Sequence, residues 1–139
     1  MDGLSRSPRW QSFGQVLSHG DRDAPLVALS FDDGPNPRST PQLLEVLRRT
    51  GTRASFFLVG HHILDYPDLA RAVVAAGEEV GNHSFSHDPM MLERPWHYRR
   101  EIARTDALIR GLGYRGVIRF RPRSEEHTSE LQSPCNFVC

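Results

Sequence analysis

Hydrophobic and polar positions change period several times between Leu26 and Gly113. Leu26-Val27-Ala28-Leu29-Ser30-Phe31 is a short apolar run closed by the turn residues Asp33-Gly34-Pro35-Asn36-Pro37, which predicts a strand. Thr40 followed by Pro41 then predicts a helix start, Leu43, Leu44, Val46 and Leu47 its apolar face, and Gly51 its end. Ala54 to Val59 reads as a second strand and Pro67 to Ala76 as a helix, with Leu69 and Val73 four apart and Gly77 as the stop. A third, short strand is predicted over Glu79 to Asn82. Tyr98, Ile102, Thr105, Ile109 and Leu112 recur at spacings of four and three, which predicts a long amphipathic helix over 96–111. Val117 to Arg121 is a candidate fourth strand. Strands alternating with helices imply an α/β fold with a parallel sheet.

After Pro122 neither period continues. Arg123-Ser-Glu-Glu-His-Thr-Ser-Glu-Leu-Gln-Ser133 is rich in Ser and Glu and resembles the conceptual translation of a common sequencing adapter. The expected organisation is therefore a lead-in segment over 1–25, a partial domain over 26–122 and a non-native tail over 123–139.

Composition adds limits. The chain has 139 residues, 38% hydrophobic and 24% charged, with 17 basic and 17 acidic side chains. That is enough apolar content for a core, and the balanced charge gives no reason to expect nucleic acid. No apolar run reaches the length of a membrane span, and no signal peptide is visible. Every basic residue is Arg and none is Lys, a bias that points to codon usage before chemistry. Both cysteines, Cys135 and Cys139, fall in the expected tail.

Two motifs carry chemistry. Asp32-Asp33 stands where the first strand meets its turn, the strand end at which α/β folds bind ligands. Neighbouring carboxylates repel, and both stay ionised most easily beside a cation. One oxygen on a metal and another free as a base is the arrangement this favours; a surface turn is the plainer alternative. His83-Ser84-Phe85-Ser86-His87 follows the third strand, and imidazoles separated by three residues can face one ion from a helical turn or tight loop. Asp33, His83 and His87 together make a two-histidine, one-carboxylate set with an open fourth position, which favours zinc or a similar divalent ion.

Ser30-Phe31-Asp32-Asp33-Gly34-Pro35 and Asn82-His83-Ser84-Phe85-Ser86-His87 resemble the first two motifs of the NodB-type polysaccharide deacetylases, carbohydrate esterase family four. Ala54 to Gly60 and the helix from Arg99 to Arg110 are similar to that family as well. The resemblance implies the N-terminal half of a distorted (β/α) barrel and a metal-dependent hydrolase of N-acetyl amides on sugars. It assigns Asp32 as general base and Asp33, His83 and His87 as ligands, usually of zinc. Phe120-Arg121-Pro122 resembles the start of the third motif, which gives Arg121 the task of orienting the base. The implied partner is an N-acetylated glycan, of the chitin-oligomer or peptidoglycan class.

The chain departs from the family where the third motif continues Pro-aromatic-Gly, since it has Arg123-Ser124-Glu125. The later motifs that bring the general-acid histidine have no counterpart, and His127 is not assigned that role. A complete barrel of this type needs ~250 residues. A half barrel is expected to expose a strand edge, bind metal weakly and turn over little substrate. Alternatives are a non-catalytic metal- or glycan-binding fragment and a metal-dependent phosphoesterase, although the latter wants a second metal and phosphate clamps. His61 and His62 read as polar helix-start residues, and Phe56, Phe57, Phe85, Trp96 and Tyr98 as packing residues. Arg94, Arg99, Arg100 and Arg104, with Glu101 and Asp106 interspersed, read as a solvated helix face.

Overall fold

The computed structural model describes residues 27–88, 94–123 and 136–138. The lead-in segment, most of the tail, His127 and both cysteines lie outside the described residues.

Three parallel strands form the centre: β1 (Ala28–Gly34), β2 (Ser55–Leu58) and β3 (Glu79–Asn82). Between β1 and β2 runs α1 (Thr40–Thr50), and between β2 and β3 run α2 (Gly60–Asp65) and α3 (Pro67–Ala75). The long helix α4 (Pro95–Gly111) follows β3. A short strand, β4 (Asn136–Val138), completes the sheet order β3-β2-β1-β4 and is antiparallel to β1. The parallel α/β architecture is as expected, and a partial barrel is consistent with it.

The sequence rules act at the helix ends. Ser39 is the N-cap of α1, one residue before the expected Thr40, and Thr40 Oγ1 instead accepts from the Asn36 amide at 2.8 Å. Arg48 and Arg49 lie in the last turn, where basic charge complements the helix dipole, and Gly51 closes the helix in the left-handed region at φ 64°. Proline occupies the first turns of α1, α3 and α4, where its missing N–H leaves no helical bond unmade. The short helix α2 starts where His61 and His62 read as helix-start residues, but its extent is not given by any period, since six residues are too few to show one.

Phe31, Phe56, Leu58 and Val80 of the sheet pack with Leu47 of α1, Ile63 of α2, Val73 of α3 and Ile109 of α4. Burying each such side chain contributes about 1.5–3 kcal/mol. The helices thus bind one face of the sheet in a single cluster. Phe57 points away from that cluster, and the Arg121 guanidinium lies 4.0 Å above its ring.

Two expectations change at the sheet margins. The fourth strand over Val117 to Arg121 is reduced to one parallel bridge, between Asn82 and Phe120. Its two hydrogen bonds flank Asn82, at 2.8 Å from the Asn82 amide to Arg119 O and 3.0 Å from the Arg121 amide to Asn82 O. Upstream, Arg110 Nη1 donates to the carbonyls of Tyr114 and Gly116, which holds that stretch against α4. The second change is β4, in a segment without periodicity. The outer edge of β1 offers unpaired main-chain groups, and Asn136–Val138 pairs there with Ala28–Ser30. The exposed edge expected of a half barrel is therefore covered over those three residues.

Candidate metal centre

The register of β1 against β2 slips where the carboxylates begin. Phe31 lies opposite Phe56, but Gly34 lies opposite Leu58, so three steps on β1 match two on β2. The extra residue makes a bulge, a device that re-aims side chains at a strand end. Asp33 sits in it with φ 65°, an uncommon conformation for a residue with a Cβ. Two contacts fix this main chain: the Val59 amide donates to Gly34 O at 2.8 Å, and His62 Nδ1 donates to Asp33 O at 2.9 Å.

The two histidines come from a tight loop, the second of the two expected forms. Ser84 and His87 both have positive φ, 67° and 63°. Asn82 Oδ1 accepts from the Ser84 amide at 2.9 Å, and Ser84 Oγ accepts from the His87 amide at 3.2 Å. His83 is buried, and its Nδ1 donates to the Arg121 carbonyl at 2.7 Å. Because a carbonyl only accepts, the Nδ1 tautomer is fixed and a neutral His83 offers its Nε2 lone pair.

That lone pair faces another acceptor. Asp33 Oδ1 lies 3.3 Å from His83 Nε2 and 2.8 Å from His87 Nε2. One atom from each of the three residues falls within 4.8 Å of the others. Three electron-pair donors at this spacing repel unless an imidazole is charged or a cation lies among them, so the donor set fits a divalent ion. In the metal-free chain, with the imidazoles carrying a proton on Nε2, hydrogen bonds from His83 and then His87 hold the Asp33 carboxyl well below the ordinary carboxylate range, against the opposing effect of burial. Asp33 is half exposed, which leaves the site open on one side.

Asp32 has a different partner. Arg121 Nη1 donates to Asp32 Oδ1 at 2.7 Å and to Ser30 Oγ at 3.0 Å, while its guanidinium stacks on Phe57. The residues expected from the motifs, Asp32, Asp33, His83, His87 and Arg121, are thus all brought to the ends of β1 and β3. Arg123, first residue of the expected tail, donates to the His87 carbonyl at 3.0 Å.

Sequence reasoning missed the support beneath this loop. Glu101 is buried, and Asp106 accepts from Asn82 Nδ2 at 2.7 Å, so neither belongs to a solvated face. Arg104 stacks 3.4 Å above the Phe85 ring. The signal was present: Glu101, Thr105 and Ile109 are four apart and form the buried side of α4. Trp96, expected to pack, is 60% exposed because it falls in the first turn of α4 beyond that side. His61 and His62 begin α2 as expected, yet they also part to serve two loops, with His61 Nδ1 against Phe85 O at 2.9 Å.

Comparison with known proteins agrees with this geometry. The family model for polysaccharide deacetylases matches residues 19–133. A chitooligosaccharide deacetylase of Rhizobium leguminosarum bv. trifolii is 42% identical over 83 residues, covering 60% of this chain and 39% of the relative. A peptidoglycan-N-acetylglucosamine deacetylase of Bacillus cereus is 35% identical over 111 residues, covering 76% of this chain and 40% of the relative. The solved structure of the peptidoglycan deacetylase PdaC from Bacillus subtilis superposes with a TM-score of 0.64 at 36% identity, over 71% of this chain and 51% of that one. The chain spans about two fifths of the length of these curated relatives. With a matching family model, fold and motif order, the chain belongs to the polysaccharide deacetylase family.

Proposed function

We propose that this chain carries the metal-binding half of an active site that hydrolyses the N-acetyl amide of an N-acetylated glycan. The observation that carries the reading is the convergence of Asp33, His83 and His87 beside an Asp32 carboxylate that has its own partner, Arg121. Asp33, His83 and His87 would hold the ion, with zinc preferred for a mixed imidazole and carboxylate set. When bound, such an ion polarises the amide carbonyl and acidifies water. Asp32 acts as general base, and Arg121 orients that carboxylate. The substrate class, chitin oligomers or peptidoglycan, follows the names of the relatives.

The same reading gives the 139-residue chain weak metal binding and little turnover, because no residue is assigned as the acid that protonates the departing sugar amine. It also takes residues 123–139 to be a non-native tail, which the genomic DNA around this coding stretch decides. The test is deacetylation of N-acetylglucosamine oligomers by the full-length gene product with and without chelator. Chelator-sensitive acetate release that disappears in Asp33→Ala and His83→Ala is the expected result. Activity that survives both substitutions overturns the site, and metal uptake without acetate release favours a binding module.

A further inference from the structure

The buried carboxylate of Glu101 has an unusual set of partners. Its Oε2 accepts from the Phe85 amide at 3.1 Å, the Ser86 amide at 2.6 Å and the Ser86 hydroxyl at 2.7 Å. Among the described residues it enters no ion pair. A carboxylate withdrawn from water needs such donors, so their geometry is tightly specified.

The two histidines depend on this carboxylate unequally. His83 is anchored from the sheet, its amide donating to Leu58 O at 3.0 Å and its Nδ1 to Arg121 O at 2.7 Å. Among the described residues His87 has no strand neighbour. It follows directly from the Ser86 peptide that Glu101 grips, and it turns back through a left-handed φ of 63° to reach Asp33.

We propose that Glu101 is a positioning residue for His87, fixing the Phe85–Ser86 main chain so that the His87 imidazole completes the three-residue cluster. Only the metal arm of its test rests on the metal reading above. One oxygen takes all three hydrogen bonds, so a glutamine can place its carbonyl oxygen there and keep the loop, whereas alanine cannot. Ser86→Ala removes one donor without disturbing the carboxylate.

The experiment uses the whole chain with Co2+ alone as probe, and proton NMR of the metal-free protein. The rings of His83 and His87 lie 4.9 Å apart, close enough for a cross-relaxation signal between their protons. Glu101→Ala should lose that signal and weaken Co2+ binding by about 10–100-fold, the usual effect of removing a group that orients a ligand. Glu101→Gln should retain the signal and most of the affinity. In a His87→Ala background, Glu101→Ala should add nothing further. An unchanged ring signal in a folded Glu101→Ala protein overturns the proposal, as does an equal loss of affinity with and without His87. If Glu101→Ala does not fold, Ser86→Ala decides: reduced contact between the rings at unchanged unfolding midpoint supports the proposal, and no change refutes it. Should wild type take up no Co2+, the metal reading fails while the ring signal still judges Glu101.

Discussion

Arg121 serves His83 through its main chain and Asp32 through its side chain: the carbonyl accepts from His83 Nδ1 at 2.7 Å, and the guanidinium donates to Asp32 at 2.7 Å. One residue therefore sets the tautomer of an expected ligand and the direction of the expected base. The two contacts are separable, because a substitution leaves the carbonyl in place.

Arg121→Ala should consequently leave Co2+ affinity unchanged and lower kcat of the full-length protein by about 10²-fold, the size expected for a misplaced catalytic group. Asp32→Asn should behave alike, with a loss of about 10²–10⁴-fold. Parallel titration calorimetry and acetate release would measure both quantities. A large fall in metal affinity in either variant would contradict the division of labour.

Asp33 should govern acid stability of the metal-free chain. Its folded carboxyl is held below the unfolded value of 3.8 by His83 and His87, so its contribution is present above that value and lost progressively as pH falls from it toward the lower folded value. Asp33→Asn removes the titration. Its urea midpoint should change less than that of wild type between pH 5 and 3, measured by fluorescence; parallel curves would contradict this.

Gly60 should resist even alanine. A Cβ there would collide with the Phe85 ring and the Thr105 hydroxyl, where α2 passes beneath the histidine loop. Gly60→Ala is expected to cost about 1–3 kcal/mol through overpacking, visible in urea unfolding. It should also perturb the His87 ring resonances, since Phe85 would have to move.

Removing residues 124–139 should separate the sheet edge from the site. β4 pairs with Ala28–Ser30, at the end of β1 away from Asp33. The shortened chain should bind Co2+ as before but self-associate more readily at its uncovered edge. Sedimentation velocity would show this, and a purely monomeric product would argue against it.

Strands and helices whose apolar residues keep a period were legible in the sequence: β3 runs over Glu79–Asn82 as predicted, and α4 differs by one residue at its start. The cluster of Asp33, His83 and His87 was legible because motif spacing and strand-end position point to one place. Glu101 was misread because charge was taken as a sign of solvent, although its position on the Thr105–Ile109 side of α4 said otherwise. His61 and His62 were undervalued because their partners are main-chain carbonyls, which leave no mark in a sequence. The single bridge at Phe120 and the added β4 depend on which sheet edges remain open, a tertiary property that no local pattern carries.

The bulge between Phe31 and Gly34 makes the length of this strand end as consequential as its composition. On a regular strand, consecutive side chains leave opposite faces, so two adjacent aspartates could not work on one substrate. Only Asp32 and Asp33 separate Phe31 from Gly34, so losing one residue there would both restore that alternation and remove one of the two carboxylates. A chain of this kind should therefore tolerate many substitutions around its acidic pair and almost no deletion within it.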